Sequence, residues 1–131
     1  MAGTVTLTHY TIGNVRRIKF ECVADAADGS FPATALPKFE GRLISLHTNP
    51  GATAPTDNYD ITLIDGDGID RLQGVGANRD TANSEQVPIV YASTSVNPPV
   101  SSDETLTLTF ANNAVNSAIV VGNIYYQLGG V

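Results

Sequence analysis

The chain contains no tryptophan, one cysteine, one methionine and few charges, and each shortage removes a class of protein. A single cysteine, Cys22, cannot build an internal disulfide framework. No pair of Cys or His residues shows zinc spacing. No stretch of eighteen apolar residues occurs, so no membrane-spanning segment is expected. The opening Met1-Ala2-Gly3-Thr4 lacks a charged region followed by an apolar one, so synthesis in the cytoplasm without a signal peptide is expected. Gly74-Val75-Gly76 is not followed by Gly-Lys-Ser/Thr, which excludes a phosphate-binding loop of that type. No serine stands in a nucleophile elbow. The expectation is a protein that is not an enzyme, with no catalytic residue and no cofactor.

Charge is also scarce: charged residues make up 15% of the chain, against about 25% in an average globular protein. Thr, Asn, Ser and Gly cover the surface instead, a composition suited to packing against neighbours. The formal net charge of -6 argues against nucleic acid as a direct partner, because displacing counterions from phosphates needs a basic face.

What is present is a period of two. Thr4-Val5-Thr6-Leu7-Thr8 alternates, placing Val5 and Leu7 on one face. Across residues 15–24, Ile18, Phe20 and Cys22 alternate with Arg17, Lys19 and Glu21, so Cys22 reads as a small buried hydrophobe. Asp28-Gly29, Pro32 and Pro37 make 25–38 a loop, and a strand resumes over 39–48. Tyr59, Ile61 and Leu63 alternate before Asp65-Gly66-Asp67-Gly68, a hairpin turn with Ile69–Leu72 as the return strand. Residues 73–85 form a polar connection, and Pro88 demotes the strand over 86–92 to an edge or bulged position. Leu106, Leu108 and Phe110 alternate with threonines, and 117–128 is the longest strand. About eight short strands in 131 residues predict an all-β, single-domain β-sandwich or jelly roll. Residues 1–8 serve as a first strand or an N-terminal arm.

The final segment is apolar on both faces: Ala118, Val120, Ile124, Tyr126 and Leu128 on one, Ile119, Val121 and Tyr125 on the other. Such a strand is central in a sandwich or covered by another subunit, and a subunit contact is the expectation. Asp57, Asp60, Asp65, Asp67 and Asp70 fall within fourteen residues that contain no Lys or Arg. Asp65, Asp67 and Asp70 are the candidate cation ligands, but Ile69 occupies the third ligand position of an EF-hand loop and the twelfth holds no glutamate. The turn reading is preferred there. Candidate partner contacts are Val5, Leu7, Arg16, Arg17, Lys19, Arg79, Ile119, Val121 and Tyr125. Arg79, set among Asn78, Asp80, Thr81 and Asn83, either locks its own loop or binds a neighbouring chain.

Three blocks of residues carry a family resemblance. They are Ala2-Gly3-Thr4-Val5-Thr6 before the basic strand Val15-Arg16-Arg17-Ile18-Lys19-Phe20, Pro55–Leu63 with its hairpin and Gly74–Asp80, and Leu106-Thr107-Leu108 with Asn112-Asn113 and Ile124-Tyr125-Tyr126. In these the chain resembles a group of small phage virion-associated proteins. The resemblance implies a particle component, and among such roles a capsid decoration or cement protein. Its implied partners are the major capsid protein and further copies of itself, as a homotrimer on the capsid surface. A tail, neck or head-fibre component, or a receptor- or carbohydrate-binding module, is the alternative.

Overall fold

The computed structural model describes residues 1–128 and contains nine strands, all antiparallel. These are β1 (Thr4–Tyr10), β2 (Val15–Val23), β3 (Thr34–Ala35), β4 (Gly41–Pro50), β5 (Asp60–Ile64), β6 (Glu85–Pro88), β7 (Pro99–Val100), β8 (Thr107–Ala111) and β9 (Ile119–Gln127). One sheet runs β1-β2-β9-β4-β6, with β7 sharing the far edge of β4; the other runs β3-β8-β5. The expected β-sandwich is observed, its core filled from the inward positions of both sheets. Ile18, Phe20 and Cys22 face in from β2, Ile61 and Leu63 from β5, and Val120, Ile124 and Tyr126 from β9. Residues 4–10 are the first strand of the large sheet, paired with β2 along their whole length.

Four segments differ from expectation. The segment 117–128 shortens to Ile119–Gln127, so the ten-residue β4 is the longest strand. In β4 the register shifts between Leu43 and Ser45, a bulge that lets Leu43 and Leu46, three apart, both face the core. The Asp-Gly turn forms, but its return strand does not: Ile64 and Asp70 make a single bridge. The reason is the Asp70 carboxylate, which accepts from the backbone N–H groups of Leu63, Leu72 and Gly74 and curls the chain into successive turns. The loop over 25–38 holds a two-residue strand, β3. Pro88 lies on an edge, as expected, at the last position of β6.

The doubly apolar segment proves to be the central strand of its sheet, between β2 and β4. The β3-β8-β5 sheet covers its inward face, so this chain does supply a second layer. Among the described residues no third sheet lies over the outward face.

Candidate functional site

The register of the large sheet arranges its outward side chains in rows. Tyr10, Arg17, Tyr125 and Ser45 follow one another across β1, β2, β9 and β4. Thr8, Lys19, Asn123 and His47 form the next row, and Thr6, Glu21, Val121 and Asn49 the one after. Of the nine expected partner residues, Arg17, Lys19, Ile119, Val121 and Tyr125 thus share one open face. Asn123, His47, Ser45 and Tyr10 join them unforeseen. A lone asparagine within an apolar strand was the visible signal for the first of these.

Arg17 organises this face. Its guanidinium lies 4.0 Å from the centre of the Tyr10 ring, a cation–π contact, and its Nη1 donates to Asn123 Oδ1 at 3.0 Å. Asn123 Nδ2 lies 3.4 Å from His47 Nδ1, and Gln86 Nε2 donates to Ser45 Oγ at 3.2 Å. Asn123 and Ser45 are buried under these longer side chains. Lys19 pairs with Glu21 at 3.3 Å, the one acidic residue on the β2 part of the face. The result is a flat surface of pinned polar groups with a half-buried apolar row, Ile119 and Val121, continued by Tyr125.

The other expected contacts lie elsewhere. Val5 and Leu7 point to the inward side and pack against the chain's own core. Arg16 also lies off the open face, at the end of the β1–β2 hairpin, where its Nε donates to Gly13 O at 2.9 Å. It lines a hollow of about 450 Å³ with His9, Ile12, Val15 and Tyr125. Arg79 makes the internal contacts of the first of its two readings, those that lock its own loop. Its Nε and Nη2 donate to Ala77 O at 3.3 and 3.2 Å, and its Nη1 stands 3.3 Å from Glu85 Oε1 in an ion pair without hydrogen-bond geometry. Its backbone bridges to Tyr59, which fixes the long connection against β5.

The aspartates of the hairpin are used by the chain itself. Asp65 Oδ1 accepts from the N–H groups of Asp67 and Ile69, and its Oδ2 takes Arg71 Nε at 2.8 Å. The Ile69 N–H foremost, then Asp67 and Arg71, holds the Asp65 carboxyl below its ordinary range. Arg71 also pairs with Glu104, joining the hairpin to the turn after β7. Asp70 is committed to three backbone donors. Among the described residues, no group of three or more His, Cys, Asp or Glu is placed to hold a metal ion.

Cys22 is buried in the core, and burial, with a smaller contribution from Glu21, pushes its thiol up to about 12. At neutral pH it carries no thiolate. His9 shares a 2.6 Å hydrogen bond with the Tyr126 hydroxyl, and burial together with Arg16 lowers its pKa. No helix of the described residues is long and apolar enough to cross a membrane.

No family model, curated protein or solved structure matches the chain.

Proposed function

We propose that this protein is a phage virion structural protein, a capsid decoration or cement protein that binds the assembled head and bridges neighbouring major capsid subunits. The observation that carries the reading is the open face of the large sheet. It presents Ile119, Val121 and Tyr125 beside an arginine already fixed by Tyr10 and Asn123. Aromatic residues and arginine are enriched in interface cores, and side chains held in advance lose less entropy on docking. The resemblance of the sequence to phage virion-associated proteins supplies the partner, the major capsid protein, and the arrangement as homotrimers on the capsid surface. The working role is mechanical: each copy ties neighbouring subunits against the outward pressure of packaged DNA.

Imaging of intact particles tests this directly. Hundreds of copies on the head surface agree with the proposal; a few copies at the neck or tail overturn it in favour of a tail, neck or fibre component. Particles stripped of the protein are expected to lose resistance to heat and osmotic shock, and to regain it when purified protein is added back.

A second reading, a receptor- or carbohydrate-binding module, draws on the Tyr10-Arg17-Tyr125 row, in which an arginine over the Tyr10 ring has a second tyrosine as its neighbour on the next strand. Glycan binding that disappears in Tyr125→Ala, with the fold retained, would favour it.

A further inference from the structure

We infer that the outer edge of β1 pairs with β1 of a second copy, antiparallel and two-fold symmetric about Leu7, to make one continuous sheet through both molecules. Exposed strand edges invite pairing, and proteins blunt them with short strands, proline, charge, bulges or a covering loop. Three of the four sheet edges here are protected in these ways. The edge formed by β6 and β7 consists of short strands carrying Pro88 and Pro99. β3 has two residues. β5 is covered by the connection after it, through Ile61 N–H to Gly76 O at 2.9 Å, Arg71 N–H to Leu63 O at 2.7 Å and the Tyr59–Arg79 bridge.

β1 has none of these devices. It is seven residues long and holds no charge at neutral pH, no proline and no glycine, and its pairing with β2 runs without a bulge. Among the described residues, no backbone hydrogen bond other than those to β2 involves Thr4–Tyr10. The outward backbone groups of β1 are therefore free to form a ladder.

The strand is complementary to itself. With Leu7 opposite the partner's Leu7, Val5 faces the partner's His9, Thr6 the partner's Thr8, and Thr4 the partner's Tyr10. Each pair unites residues of the same face, since strand side chains alternate with period two, and cross-strand Thr–Thr pairs are favourable. Charge agrees with this register. Thr8 is the β2-facing neighbour of Lys19, and Thr6 of Glu21. The row that begins at Lys19 thus passes Thr8 and the partner's Thr6 and ends at the partner's Glu21, an opposite charge. β1 itself carries no acidic residue, so the pairing strand adds nothing to the repulsion that the chain's net charge of -6 would set up. A two-fold contact is isologous and closes on itself. It doubles whatever unit carries it, monomer or trimer, and does not depend on where in a particle the protein sits.

The register makes a charge test decisive. Thr6→Lys with Thr8→Lys places lysine opposite the partner's lysine twice, whereas Thr6→Lys with Thr8→Glu places lysine opposite the partner's glutamate twice. Both pairs of substitutions fall on exposed side chains, so the fold is kept. Sedimentation velocity from about 10 μM to about 1 mM spans the range expected of a small strand-to-strand contact. The wild-type mass should rise with concentration to twice its limiting value at low concentration. The double-lysine variant should weaken that step about 10-fold or more, from like charges directly opposed, and the Lys/Glu variant should retain it. A wild-type mass that does not double, or two variants that dissociate alike, overturns the inference. If the double-lysine variant unfolds, Thr6→Glu with Thr8→Glu carries the same like-charge opposition and is read by the same criterion.

Discussion

Gly122 sits on the inward face of β9, between Phe20 of β2 and Thr48 of β4. A methyl group added there would lie 2.6 Å from Phe20 Cε2, closer still to Cζ, and 2.5 Å from the His47 carbonyl oxygen. Comfortable separation between carbons is about 3.5–4.0 Å, so something must move by roughly an ångström. Phe20 is fully buried and packs edge-on against Phe110 at 6.1 Å, which itself packs on Phe31 at 4.5 Å. The ring has no free direction of retreat, and the carbonyl belongs to the β4 backbone. Overpacking costs about 1–3 kcal/mol, and a backbone neighbour places this case at the upper end. Alanine restricts the unfolded chain and returns about 0.4–1 kcal/mol. Gly122→Ala is therefore expected to lose about 2–3 kcal/mol. With an unfolding entropy of about 2.1 cal/mol/K per residue, that is a fall in Tm of roughly 7–11 °C, readable by scanning calorimetry. Phe20→Leu removes the ring atoms in question and costs about 1–2 kcal/mol by itself. Combined with Gly122→Ala it should cost less than the sum of the two by about 1 kcal/mol. A melting point within about 2 °C of wild type for Gly122→Ala, or strict additivity in the pair, would refute the packing argument.

Three further outcomes are expected. Val121→Lys on the open face gives up part of a half-buried apolar contact and should cost about 1 kcal/mol or less, roughly 4 °C in Tm, yet abolish binding to stripped particles in a pelleting assay. Arg71→Leu removes the link between Asp65 and Glu104 and should cost about 1–2 kcal/mol in urea unfolding, discounted because Glu104 is partly solvated; no change would mean the turn is held by Asp65's backbone bonds alone. Stability should fall with acid in two stages. His9 has a lowered pKa in the fold, from burial and Arg16, so its contribution is full above about 6.5 and is lost as the pH drops through that value toward the folded pKa. Asp65 and Glu104 are held low by hydrogen bonds, so theirs is lost only as the pH falls through about 4. His9→Gln should erase the first stage of a Tm-against-pH curve and leave the second; a curve unchanged by the substitution would show that His9 is not its source.

Alternation was the part of this fold most open to reading from sequence. Ile18, Phe20 and Cys22 against Arg17, Lys19 and Glu21 displays its two faces directly, as does the threonine-spaced run ending at Phe110, because side-chain period is a local property. The place of β9 was not legible. Its double apolarity admits either a neighbouring subunit or a central position, and the choice depends on β2 and β4, which pair with it from distant parts of the chain. The missing return strand after the Asp-Gly turn has a similar explanation: Asp70 looks like a turn residue, but that its carboxylate would take three backbone donors follows only from the folded loop. The open face was half legible. Arg17, Lys19, Ile119, Val121 and Tyr125 declared themselves by type, whereas Tyr10 and Asn123 acquire their roles from cross-strand register.

The insertion of β9 between β2 and β4 also sets a schedule for synthesis. The β1–β2 hairpin and β4 are made early, but the rows of the open face exist only once β9 has joined them. A nascent chain therefore holds two unfilled sheet edges until β9 emerges, a state that favours wrong pairing when many copies are made together. Pairing over so large a sequence separation is also slow to nucleate. The open face consequently takes shape in one step, when β9 emerges and pairs with both β2 and β4.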